Sequence, residues 1–172
     1  MIHQPGHQVA APDVERIVAD AASASLTVAT AESLTAGMVC AELAGVPGAS
    51  TMLVGAVVAY QNPFKESVLG VSAELLSRAG SVDAEVARAM AQGVRRLSGA
   101  SLGLSTTGVA GPEPHDGQPV GTVFIALADE YGAWCAQYSF EGDRAAIRRQ
   151  ATAHALLELQ QAIDAAGPPA VD

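Results

Sequence analysis

Leu26-Thr-Val-Ala-Thr-Ala-Glu-Ser-Leu-Thr-Ala-Gly-Met-Val-Cys-Ala-Glu-Leu-Ala44 changes character in its middle. Residues 26–30 are rich in β-branched side chains and read as a short buried strand. Residues 34–44 are rich in Ala, Leu, Met and Glu and read as helix. Ser33 falls at the handover, near a helix N-terminus where backbone N–H groups lack partners and the dipole favours negative charge. A serine there serves as an ordinary cap. It can also be a nucleophile, with the same N–H groups stabilising the oxyanion formed when it attacks a carbonyl.

Working outward, the chain keeps alternating strands with helices. On the N-terminal side, Asp13 caps a helix running to about Ser23, with Val14, Ile17 and Val18 on one face. On the C-terminal side, Gly45-Val-Pro-Gly48 makes a turn, and the apolar run Met52–Tyr60 reads as a central strand. Asn62 and Pro63 suit the N-cap and first turn of a short helix that carries Lys65 and ends near Leu69-Gly70. A short helix is expected over Ser72–Ala79, then a longer one capped by Asp83 with Val86, Met90, Val94 and Leu97 facing inward. Residues 101–106 read as a strand, 107–119 as a loop, and 120–128 and 133–140 as a hairpin turning at Asp129–Gly132. The last helix starts at Gly142-Asp143 and turns Ile147, Ala151, Leu156, Leu159 and Ile163 inward.

This pattern predicts an α/β fold, a three-layer α/β/α sandwich with a mixed central sheet. One domain is expected over residues 13–165, between flexible tails at 1–12 and 166–172. At 172 residues the chain is long enough for one substantial core. Its net charge of −9 argues against broad nucleic-acid or anionic-membrane binding. No apolar run has the length of a membrane span and no signal peptide opens the chain, so a cytoplasmic location is expected. Cys40 and Cys135 are far apart and read as buried thiols. Histidines 3, 7, 115 and 154 lack metal-ligand spacing, and no metal site is expected.

Three further elements carry chemistry. Tyr60-Gln-Asn-Pro-Phe-Lys65 presents a tyrosine at a strand end and a lysine in a first helical turn, in a chain with few lysines. Such a lysine opposes the helix dipole, and if partly buried it loses proton affinity and can act as a base near neutral pH. The loop Thr107-Gly-Val-Ala-Gly-Pro112 offers glycines that let backbone approach a ligand, at the end of a strand where open α/β sheets bind their ligands. Gly142-Asp-Arg144 precedes Arg148, one turn on and on the same face, so Arg144 is a candidate phosphate ligand. Each element alone also has an ordinary structural reading: a solvated lysine, a plain loop, a basic surface turn.

In combination the order A-E-S-L-T-A-G, A-Y-Q-N-P-F-K-E-S-V-L-G-V, S-T-T-G-V-A-G-P, P-V-G-T-V and E-G-D-R-A-A-I-R-R-Q-A resembles the CinA C-terminal domain family over about residues 13–163. The resemblance implies nicotinamide-nucleotide amidohydrolase activity: hydrolysis of nicotinamide mononucleotide (NMN) to nicotinate mononucleotide and ammonia in pyridine-nucleotide recycling. It implies no metal or other cofactor, a small-molecule substrate, no nucleic-acid or membrane partner, and a homodimer or higher homo-oligomer. By that resemblance Ser33 matches the nucleophile, Lys65 the general base and Tyr60 the accompanying tyrosine. Thr35, Gly37, Thr107, Gly108, Ala110, Gly111 and Arg144 match the substrate-binding positions. Two departures stand out. Leu34-Thr-Ala-Gly37 replaces the usual Cys-Thr-Gly-Gly, and Pro63-Phe64 replaces polar residues before the lysine. The larger family proteins carry an additional N-terminal domain, and the resemblance touches only their amidohydrolase half. Alternatives are a Ser-Lys amidase for another small amide, and a nucleotide- or partner-binding module without significant turnover.

Overall fold

The structure, a computed structural model, describes residues 11–166. The tails expected over 1–12 and 166–172 therefore lie outside the described residues, except Ala11, Pro12 and Ala166. In chain order the elements are α1 (Val14–Ser23), β1 (Val28–Glu32), α2 (Met38–Ala44), β2 (Leu53–Val58), α3 (Asn62–Leu69), α4 (Ala73–Ala79), α5 (Ala84–Ser98), β3 (Leu102–Gly108), β4 (Thr122–Ala128), β5 (Ala133–Ser139) and α6 (Arg144–Ala166). Helix starts follow their caps. Asp13 accepts the Arg16 N–H at 3.0 Å, Ser72 that of Leu75 at 3.2 Å and Asp83 that of Glu85 at 2.7 Å.

The five strands form one mixed sheet in the order β2-β1-β3-β4-β5. β1 runs parallel to both β2 and β3, while β3, β4 and β5 are antiparallel to one another in turn. On one face α1, α2 and α6 bury Ile17, Val39, Leu43, Ile147, Leu156 and Leu159 against Val28, Leu104 and Ile125. On the other, α3, α4 and α5 bury Leu69, Leu76, Val86, Met90 and Val94 against Ala29 and Ala31. The chain is thus an α/β/α sandwich, and small residues let its layers approach closely. A Cβ at Gly93 in α5 would fall 2.1 Å from the Leu69 carbonyl of α3, and one at Gly103 in β3 would fall 2.1 Å from the Ala91 carbonyl of α5.

Four expectations need correction. Met52–Tyr60 is an edge strand, not a central one: β2 pairs with β1 alone, and Val54 and Val58 stay 49% and 44% exposed. Its apolar run reflects an uncovered outer side rather than burial on both faces. Leu97, placed on the inward stripe of α5, is exposed because it lies in the last turn before the Gly99 cap. Asn62 is the first helical residue of α3, with Gln61 in the cap position. Finally, α2 begins at Met38 rather than Leu34, because Ala36 (φ +51°) and Gly37 (φ +94°) take left-handed backbone conformations that helix cannot contain.

Candidate active site

Ser33 follows β1, Tyr60 follows β2 and Thr107 lies near the end of β3, so all three meet at the C-terminal edge of the parallel strands. From β1 the chain crosses to β2 on one side and, through α3–α5, to β3 on the other. That reversal opens a crevice at the strand ends. An open cavity of about 320 Å³ occupies it, lined by Ser33, Tyr60 and Arg144 with the 107–115 segment as a wall.

Ser33 is 9% exposed, and its N–H donates to the Thr106 carbonyl at 2.9 Å. Lys65 is fully buried, and it is the chain's single lysine. Its Nζ donates to Ser33 Oγ at 3.3 Å and to the Tyr60 carbonyl at 3.0 Å. Desolvation lowers the Lys65 pKa from 10.5 to about 8, against an opposing pull from the Asp116 charge. A lysine near that value is substantially neutral at mildly alkaline pH and can accept the Ser33 proton.

The helix-cap reading of Ser33 is corrected. Glu32, fully buried, folds its carboxylate back over the start of α2 and accepts the N–H groups of Gly37 at 2.8 Å, Val39 at 3.1 Å and Cys40 at 2.9 Å, plus the Thr30 hydroxyl at 3.1 Å. Glu32 is the cap, and those N–H groups are already taken. Ser33 stands instead at the start of a tight turn, 33–37. Arg148 pins that turn from α6, donating to the Leu34 carbonyl at 2.8 Å and the Thr35 carbonyl at 3.1 Å.

Tyr60 contacts Lys65 through its main-chain oxygen alone. Its phenol oxygen accepts from Arg144 Nη2 at 2.6 Å, and Arg144 Nη1 reaches the Gly111 carbonyl at 2.8 Å. Arg144 therefore bridges two walls of the cavity. Thr107, Gly108, Ala110 and Gly111 line the cavity as well, though the Thr107 hydroxyl already donates to the Ser81 carbonyl at 2.7 Å. Thr35 and Gly37 do not line it. The Thr35 hydroxyl is buried against that of Thr106 at 2.7 Å, and Gly37 sits at the start of α2 with its N–H held by Glu32. Both thiols have raised pKa values, chiefly from desolvation, with Cys135 pushed up to about 11. Neither is poised as a nucleophile.

Sequence reasoning missed Glu32 and Asp116, and it named Arg148 beside Arg144 without the contact it makes to the 33–37 turn. The Glu32 signal was present: an acid five residues before a helix N-terminus can fold back onto it. The other two depend on contacts between distant segments.

The CinA C-terminal domain model matches residues 11–163. A CinA-like protein of Anaeromyxobacter sp. (strain K) is 47% identical over 150 residues, 87% of this chain and 37% of that protein. The chain spans about a third of the length of the curated relatives it matches. A CinA superfamily protein from Klebsiella pneumoniae superposes with a TM-score of 0.85 at 29% identity, covering 88% of this chain and 96% of that one. The competence/damage inducible protein CihA from Agrobacterium tumefaciens does so with a TM-score of 0.82 at 32% identity, covering 95% and 99%. No helix among the described residues is long and apolar enough to cross a membrane.

Proposed function

We propose, for a chain that belongs to the CinA C-terminal domain family, that it hydrolyses the amide of NMN to nicotinate mononucleotide and ammonia through Ser33 and Lys65. One observation carries the reading: the chain's single lysine is wholly buried, with its amine 3.3 Å from the hydroxyl of a serine at the floor of a cavity. A buried amine beside an accessible serine has little structural value, because the charged form is destabilised by desolvation. It has obvious value as a base.

Neutral Lys65 takes the Ser33 proton as Oγ attacks the amide carbon. The tetrahedral intermediate collapses as the C–N bond breaks, and the Lys65 ammonium gives the proton to the departing amide nitrogen, which leaves as ammonia. Lys65 then deprotonates a water that attacks the acyl carbon; the ester C–O bond breaks, Lys65 returns the proton to Ser33 Oγ, and the nicotinate carboxylic acid leaves and ionises to the carboxylate. No protein acceptor among the described residues takes the N–H of Leu34, which lines the cavity beside Ser33, so the pinned 33–37 turn keeps a donor for an oxyanion. Arg144, at the mouth between Tyr60 and Gly111, is the guanidinium available to the nucleotide phosphate.

Purified protein given NMN is expected to release ammonia and nicotinate mononucleotide in equal amounts. Ser33→Ala and Lys65→Ala should each cut that rate by more than about a thousandfold with circular dichroism unchanged. The parent rate should climb with pH through about 8, as Lys65 loses its proton, and then level. NMN binding without turnover would instead identify a binding module, and turnover of other small amides in preference to NMN would shift the substrate. Turnover surviving in Ser33→Ala would sink the nucleophile assignment.

A further inference from the structure

A carboxylate next to the cavity wall has no part in that chemistry. Asp116 lies in the loop between β3 and β4, with φ +49°, and its side chain is 25% exposed. Its Oδ2 accepts from the Ser81 hydroxyl at 2.7 Å and from the Ser81 N–H. Ser81 lines the cavity, and its carbonyl in turn accepts from Thr107. A chain of hydrogen bonds thus joins the loop to the α4–α5 connection and to the end of β3. The approach is close: a Cβ at Gly80 would lie 2.6 Å from that of Asp116. Paired backbone bonds between His115 and Gln118, at 3.1 and 2.9 Å, hold the turn in which Asp116 lies.

Desolvation pushes the Asp116 pKa up, but the Ser81 N–H and hydroxyl, the nearby His115 and the Val82 N–H outweigh it, so the carboxyl titrates below its ordinary range. His115 Nε2 is 3.6 Å from Oδ1. On the flanking helices Arg78 is occupied by Glu85 at 2.7 Å, and Asp83 caps α5. At Lys65, Asp116 is the charge that works against desolvation.

We propose that Asp116 is a positioning residue for the Ser33–Lys65 pair, latching the 109–121 loop, whose 109–115 stretch walls the cavity, onto Ser81. This rests on Lys65 being the base of the reaction. Two variants separate the roles. Asp116→Asn keeps an oxygen for the Ser81 donors and removes the charge. Asp116→Ala removes both.

With a single lysine in the chain, 13Cε-labelled lysine gives one side-chain signal, so Lys65 can be titrated by NMR with no substrate present. In Asp116→Asn its midpoint should fall by about half a pH unit from the parent value, and the acid limb of kcat/KM for NMN should move down with it. Hydrogen exchange over residues 111–119 should stay near that of the parent. Asp116→Ala should lower the midpoint similarly, speed exchange over that loop by about tenfold or more, and raise KM. Ser81→Ala, which keeps the charge, should quicken loop exchange without lowering the Lys65 midpoint. An unchanged Lys65 titration in both Asp116 variants overturns the proposal, as does parent-like loop exchange in Asp116→Ala. A parent Lys65 that titrates near 10.5 is a different failure, since it removes the base assignment itself.

Discussion

Under the proposed chemistry, Lys65 concentrates the tension between stability and function in a single side chain. Its ammonium is stripped of water inside the fold, which lowers its pKa from 10.5 to about 8. Between those values the unfolded chain holds a proton that the folded chain does not, so stability rises with pH across that window. Below about pH 8 both states are protonated and the penalty is present in full, on the order of 3 kcal/mol for a shift of this size. Lys65→Met, which fills similar volume without charge, is therefore expected to be inactive yet more stable at pH 7. Its advantage in urea unfolding should shrink as pH is raised from about 8 toward 10.5, and a constant advantage would contradict the burial cost. Ala36 is a second strained residue. At the position where the family commonly has glycine, it holds φ +51° without glycine's freedom. The sequence showed the departure, and only the backbone showed that the position is left-handed.

At the scale of elements, what could be read in advance divides by range of interaction. The caps of α1, α4 and α5 and the β4–β5 hairpin follow from residues a few positions apart, and the sequence exposes such patterns directly. The edge position of β2 depends on what lies beside it, which an apolar run cannot report. Arg148 reaches carbonyls 114 and 113 positions away, and Asp116 reaches Ser81 35 positions away. No local periodicity encodes either contact. The candidate nucleophile and base were named from order and residue type, while the groups holding them in place came from tertiary contacts. One such contact is between helices. Because α5 meets α3 at Gly93, the placement of Lys65 depends on a residue 28 positions away that lies outside the cavity lining. Gly93→Ala must push α3, with its Leu69 carbonyl, away from α5 or distort α5. It should cost about 1–3 kcal/mol in denaturant unfolding and reduce amide hydrolysis by more than the folded fraction lost, measured on the remaining folded protein. Activity that simply tracks the folded fraction would show that the α3–α5 contact does not set the geometry of the base.

Across the whole molecule, three layers converge on one crevice: β1, β2 and β3 end there, α3 brings Lys65 from one face, and α6 brings Arg144 and Arg148 from the other. The surface carries an excess of acid and only arginine as permanent cation, because the one lysine is inside. That seclusion has a consequence for the protein among other proteins. Acetyl, methyl and ubiquitin-like transfer all address the ε-amine of lysine, and the folded chain offers them none. A lysine-directed protease likewise has one peptide bond to cut, in the first turn of α3. Mild treatment with an amine-reactive ester should leave Lys65 unmodified in the folded protein and modify it once denaturant opens the fold, as peptide mass mapping would show. Lysine chemistry on this molecule thus becomes a gauge of whether its working centre is closed.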